Sequence, residues 1–288
     1  MSRRIQILPN LITLANAACG LLAISKSIDA LTLGHGNPAV FYAKMETACA
    51  LIFLGMIFDS LDGYVARLVK VSSEFGAQLD SFSDALTFGV APALMVKVLV
   101  EHEPDVITNF AGSARLHFIA VVIFSLMAIL RLVRFNLEPE EDGAKHDGFR
   151  GLPSPAAAGA VAATMWLYLL LRHPGLESSE GTPTPFSRVL GWMKDVDWTP
   201  VLAWVPVVLI LMLPVLGLLM VSNVRYKHGV SYLLKRGQFF TLVVIVLSIT
   251  LCFMAPVPFL FLGFVGFTLS GVLAPLLRRK PPVEEGQA

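Results

Sequence analysis

Charge is the scarcest feature of this 288-residue chain. Asp, Glu, Lys and Arg make up 15% of it, against roughly a quarter in a soluble domain. Hydrophobic residues reach 55% and mean hydropathy is +0.69. A water-soluble globular protein is excluded, and with a formal net charge of only +1 no nucleic-acid partner is expected. Cysteine is scarce as well. Cys19, Cys49 and Cys252 are odd in number, lie in apolar segments and lack metal-ligand spacing. A full disulfide framework is therefore excluded, and small core residues are the simpler reading. No internal repeat and no soluble domain stands out. The longest polar connections, residues 134–152 and 172–198, hold too little apolar content for a core, and 281–288 reads as a disordered tail.

What the chain has in abundance is uncharged apolar sequence. Thr199 to Val221 runs 23 residues without a charge and Val257 to Leu277 runs 21, each long enough to cross a bilayer as a helix. Eight apolar segments are predicted, near 8–28, 45–69, 82–100, 116–133, 155–171, 199–221, 238–255 and 257–277. The fold class is thus all-α, a polytopic membrane helix bundle of about eight transmembrane helices. Six helices fall in residues 1–222. The remainder, 223–288, is predicted as a transmembrane hairpin, turned tightly around Ala255-Pro256, and a cytoplasmic tail. Gly263, Gly266 and Gly271 in the last helix are candidates for close helix packing.

Arg3 and Arg4 precede an apolar stretch containing Ala15-Asn16-Ala17, as in a secretory signal. Pro9 and Asn10 interrupt that stretch, and it reads as a first membrane helix. Placing the N-terminus inside brings 15 of the 22 Lys and Arg residues to the cytoplasmic side, including Arg67, Lys70, Arg131, Arg134, Arg150 and Lys235. The positive-inside bias then puts both termini in the cytoplasm.

Against this background one stretch is anomalous: DSLDGYVARLVKVSSEFGAQLDSFSD, Asp59 to Asp84. An acid at membrane depth is disfavoured by about 2.5–3.5 kcal/mol on insertion scales, which makes it a functional candidate. Asp59 and Asp62 are three apart and Asp80 and Asp84 four apart, so each pair shares a helical face. SSEFG reads as the turn, with Asp62 and Asp84 equidistant from Ser73 and so at similar depth. Four converging carboxylates repel unless neutralised. Hard oxygen donors suit two divalent cations, Mg²⁺ or Mn²⁺, and no His or Cys constellation argues for zinc. Gly63 would let a ligand approach the helix backbone, Gly76 would ease the turn, and Arg67 could fork onto phosphate oxygens. The plain alternative, a solvated loop, accounts for Lys70 and Glu74 but not for acids and small residues recurring on both sides of the turn. A cation transporter would instead spread its acids along a path near the midplane.

The pattern D-x2-D-G-x2-A-R-x8-G-x3-D-x3-D, filled by Asp59, Asp62, Gly63, Ala66, Arg67, Gly76, Asp80 and Asp84, resembles the signature of the CDP-alcohol phosphatidyltransferases. Beyond it, Leu8 to Ile24, RLVRFN (Arg131 to Asn136) and GLPSPAAAG (Gly151 to Gly159) resemble the branch of that family whose acceptor is serine. Relatives that make phosphatidylglycerophosphate tend to carry an arginine where this chain has Asn16.

The resemblance implies a family-like core, CDP-diacylglycerol and L-serine as substrates, a homodimer, and a bacterial inner membrane location with the active site cytoplasmic. It also implies two metals, with Asp59 and Asp80 touching both, Asp62 one and Asp84 the other, and Asp84 serving as general base. The cytidine diphosphate group is expected at Asn10, Thr13, Asp62, Gly63, Ala66, Arg67, Ser73 and Gly76. For the acceptor, whose carboxylate calls for a cation, Arg131 and Arg134 are the candidates, then Asn136 and Ser154. His146 reads as solvated. Glycerol 3-phosphate, inositol phosphate and choline are the alternative acceptors.

Overall fold

The computed structural model describes residues 2–34, 36–69, 73–103, 114–137, 149–172, 198–226 and 238–277. His146, Lys70 and the tail 281–288 lie outside them. In chain order the elements are α1 (Ser2–Leu33), α2 (Pro38–Val69), α3 (Glu74–Asp84), a π-helical turn (Ala85–Val90), α4 (Ala91–His102), α5 (Ala114–Leu137), β1 (Phe149–Arg150), α6 (Ser154–Arg172), the short α7 (Thr199–Leu202), α8 (Val205–Val221), β2 (Arg225–Tyr226), α9 (Gln238–Met254) and α10 (Pro256–Leu277). Among the described residues seven helices are long and apolar enough to cross a membrane, with α3, the π turn and α4 forming a single span. The remaining apolar segment, predicted near 238–255, forms the shorter α9. The chain is an integral membrane protein built as a polytopic helical bundle.

The helices run further than their apolar cores, because polar residues beyond the hydrocarbon still complete backbone hydrogen bonds. Thus α1 extends to Leu33, and α3 begins at Glu74, inside the stretch expected to be a turn. Ser73 explains that start: its Oγ accepts from the Gly76 amide at 3.0 Å, capping the helix.

In a membrane bundle both lipid-facing and core-facing surfaces are apolar, so small residues reveal which face is packed. The central helix α6 opens SPAAAGAVAA, and nearly every residue from Ser154 to Ala163 is buried. Gly159 lies against the Phe264 ring of α10, where a Cβ would come within 2.4 Å. Of the three glycines expected to mark packing in α10, Gly271 does so, against Tyr226. Gly263 and Gly266 face open space.

The buried stripe of α2, Phe41, Met45, Ala48, Ile52 and Gly55, ends at Asp62. The helical repeat that builds the core therefore also aims a carboxylate inward. At the start of the same helix the Tyr42 hydroxyl donates to Glu103 at 2.5 Å, with Arg172 3.7 Å from the other Glu103 oxygen. Twenty residues of helix separate Tyr42 from Asp62, about 30 Å. That matches the hydrocarbon thickness, so the two polar layers fall at opposite membrane surfaces.

Two features mark the C-terminal part of the bundle. The last two helices, expected as a hairpin, are separated by a single residue. They are joined by one bent residue, Ala255, with helical bonds closing on either side (Ala255 N to Leu251 O 2.8 Å, Phe259 N to Ala255 O 3.0 Å). An antiparallel return takes two to five residues. No described residue of α9 is buried. Proline at 256 and 258 accounts for the bend here.

The all-α bundle also carries a two-residue antiparallel ribbon, with Phe149 paired to Tyr226 and Arg150 to Arg225. It crosses the boundary expected after residue 222. Beside it Gly151 has φ +75°, and a Cβ there would lie 2.3 Å from the Met220 carbonyl oxygen. Gly151→Ala should therefore destabilise the protein by about 1–3 kcal/mol, read as a lowered Tm in detergent. An unchanged Tm would contradict this.

Candidate active site

The four signature aspartates gather where α2 ends and α3 begins. Asp59, Asp62 and Asp80 each offer a carboxylate oxygen, and all three oxygens lie within 4.8 Å of one another. Asp62 Oδ2 and Asp80 Oδ1 are buried and have no hydrogen-bond partner. Among the described residues no Lys or Arg forms an ion pair with the group. Orphaned carboxylate oxygens in a cluster of like charge are strongly disfavoured without a cation, so the residues present fit a bound metal.

Asp84 stands outside this trio. Its carboxyl lies close to that of Asp59, and its Oδ1 accepts from Asn16 Nδ2 at 3.1 Å. Asp62 is thus level with Asp80, and Asp59 with Asp84, in place of the expected match of Asp62 with Asp84. The reason is the early start of α3: Asp62 lies seven residues before the end of α2 and Asp80 six after the start of α3.

Beside the aspartates opens a cleft of about 210 Å³ lined by Pro9, Asn10, Thr13, Asp62, Gly63, Ala66, Ser73, Gly76, Ala77 and Asp80. It joins one face of α1 to the adjoining ends of α2 and α3. Seven of the eight positions named above for cytidine diphosphate line it. The exception is Arg67, exposed one turn beyond Gly63 on α2. Gly63 has open space where a side chain would stand. Gly76 does not serve a turn: it sits in the first turn of α3, where a Cβ would come 3.1 Å from Ser73 Oγ and 3.2 Å from Asn10 Oδ1. It lets α1 and α3 approach, and the capped first turn of α3 contributes Ser73, Gly76 and Ala77 to the cleft wall.

Behind the cleft α1 is locked to the π-helical turn. The Thr87 hydroxyl donates to the Asn16 carbonyl at 2.9 Å. Gly20 and Gly55 make room, since Cβ atoms there would fall 2.5 Å from Thr87 Oγ1 and 2.7 Å from Thr87 Cγ2. Asn16 is fully buried and was absent from the expected site residues. Its spacing with Asn10 and Thr13, three apart each time along an apolar helix, was the available signal. Pro9 and Ala77 carried none.

The acceptor candidates lie on the far side of Asp84. Arg131 Nη1 donates to Ser154 Oγ at 2.7 Å, while its Nε is buried and without a partner. Arg134, one turn on, donates to the Val221 carbonyl and to Asn223 Oδ1, each at 3.2 Å. Asn136 is exposed and donates to Ser81 Oγ at 2.8 Å, away from Arg131 and Ser154.

A membrane helix bundle with this aspartate array defines a class, and the chain belongs to it: residues 6–194 match the model of the CDP-alcohol phosphatidyltransferase family. Among similar proteins, the CDP-diacylglycerol–serine O-phosphatidyltransferase of Methanocaldococcus jannaschii is 37% identical over 54% of this chain and 59% of its own length. The enzyme of that name from Helicobacter pylori strain J99 is 32% identical over 74% of this chain and 75% of its own. The archaetidylserine synthase of Methanothermobacter thermautotrophicus is 34% identical over 54% and 56%. The chain thus spans little more than half the length of several relatives it matches.

Proposed function

We propose that the protein transfers the phosphatidyl group of CDP-diacylglycerol to the hydroxyl of L-serine, giving phosphatidylserine and CMP. The observation that carries this reading is the cleft itself. It opens at one membrane surface beside carboxylate oxygens of Asp62 and Asp80 that have no hydrogen-bond partner. The names of the serine-specific relatives support the acceptor.

In this reading Asp59, Asp62 and Asp80 hold divalent metal, Mg²⁺ or Mn²⁺, with Asp84 completing a two-metal site. Bound there, the cations would polarise the phosphoryl group and offset charge on the departing CMP. Asn10, Thr13, Gly63, Ala66, Ser73 and Gly76 bed the cytidine diphosphate, with Arg67 reaching in from the rim. Asp84, oriented by Asn16, takes the proton from the serine hydroxyl. The serine oxygen bonds to the phosphorus carrying diacylglycerol, and the bond from that phosphorus to the oxygen of CMP breaks. Arg131 and Arg134 receive the serine carboxylate, and the Arg131 Nε proton gains the acceptor it lacks.

The acyl chains stay in lipid while the soluble substrates arrive from the cytoplasm. The aspartate end therefore faces inward, in a bacterial inner membrane, and the protein works as a homodimer. The test is a panel of acceptors given to one purified preparation with CDP-diacylglycerol and Mn²⁺: serine, glycerol 3-phosphate, inositol phosphate and choline. Label should enter lipid from serine alone. Efficient incorporation of another alcohol would replace the serine reading.

A further inference from the structure

We propose that residues 219–226, the last turn of α8 and the chain after it, outside the family-matched region, form a clasp that sets the acceptor subsite through Arg134, with Asn223 as its positioning residue. The inference rests on the reading of Arg131 and Arg134 as the acceptor's cationic site.

Arg134 carries a long side chain with high rotamer freedom, so its use as a recognition group depends on what holds it. Two donors of its guanidinium are held by this one segment, Nη1 by the Val221 carbonyl and Nη2 by Asn223 Oδ1. Both acceptors are neutral oxygens. These two bonds orient the guanidinium through dipoles and do not themselves neutralise it.

The segment is itself closely tied down. The Ser222 amide bonds to the Leu218 carbonyl at 2.9 Å. Ser222 Oγ donates to the Leu219 carbonyl at 2.8 Å and accepts from the Val224 amide at 3.3 Å. Two further bonds reach the chain just before α6, Gly151 N to Val224 O at 2.8 Å and Leu152 N to Leu219 O at 3.0 Å. Two residues later stands Ser154, the partner of Arg131. One short segment thus fixes the surroundings of both arginines. At its end Tyr226, 1% exposed, is wedged against Gly271 and Phe267 of α10. The last helix is therefore mechanically joined to the acceptor side of the site, a link that neither the signature nor its spacing contains.

The experiment uses the purified full chain with CDP-diacylglycerol in mixed micelles, varying each substrate in turn. Asn223→Ala should raise the KM for serine by about tenfold, leaving kcat and the KM for CDP-diacylglycerol within about twofold. In an Arg134→Ala background the same change should add nothing, because Asn223 acts through Arg134. An unchanged serine KM, equal shifts in both KM values, or additivity in the double variant would overturn the proposal. Should Asn223→Ala fail to give folded protein, Arg134→Lys must show the same serine-selective rise, since an ammonium cannot span both acceptors. Its absence overturns the proposal equally. If the panel identifies another alcohol, the serine reading fails alone, and the KM for that alcohol carries the same test.

Discussion

Asp80→Asn should abolish most phosphatidyl transfer while leaving the protein as stable as before, or more so. Asp80, like Asp62, belongs both to the carboxylate trio and to the lining of the cleft. Its Oδ1 is buried without a partner. Metal stabilisation of a phosphoryl transition state is worth several kcal/mol, so losing a carboxylate that would hold the metal should lower turnover by about 10³-fold. Stability moves the other way. The amide removes one negative charge from a crowded set, and in the absence of divalent ions the repulsion among the rest falls. Wild-type protein should gain Tm on addition of Mn²⁺, and the variant should gain little. A variant with near-normal turnover, or with the full Mn²⁺-induced shift, would remove Asp80 from the metal site.

That trade places strain where the chemistry is, and it bears on what could be read beforehand. The four aspartates were legible because acids at helical spacing in an apolar chain are costly to bury unless a cation joins them, and because each lies on a single continuous helix. The glycines were half legible: a residue without a side chain signals close approach but not what approaches. Gly76 makes room for Asn10 on another helix, and Gly271 for Tyr226, pairings that depend on contacts 66 and 45 residues apart in the chain. The shared depth of Asp62 and Asp80 turned on where α3 starts, which a single Ser73 cap decides.

The far end was least legible for a related reason. In water an amphipathic stripe tells which face of a helix is buried, but α8, α9 and α10 are apolar on every face. Their sequence announces the membrane and leaves the partners unsaid. The bend at Ala255 and the clasp at 219–226 are set by backbone hydrogen bonds and one left-handed glycine, Gly151. Neither leaves a periodic trace.

Asp84→Asn tests the proton acceptor, which in the proposed reading also completes the second metal position while the Asp59, Asp62 and Asp80 trio stays intact. Asp84 lies outside the trio, accepts a hydrogen bond from buried Asn16, and begins the segment where the helix loosens into a π turn. The side-chain oxygen of the introduced amide can still accept from Asn16, so the geometry behind the site survives. What is lost is a basic oxygen able to take a proton from an alcohol. A positioned general base contributes about 10²–10⁴-fold, so kcat should fall by that factor while the KM for CDP-diacylglycerol stays nearly constant. Most of the Mn²⁺-induced gain in Tm should remain, in contrast to Asp80→Asn. Loss of that gain would make Asp84 chiefly a metal ligand. Full turnover would show that another group, or the solvent, takes the serine proton, and the α1 lock through Asn16 and Thr87 would then be structural alone.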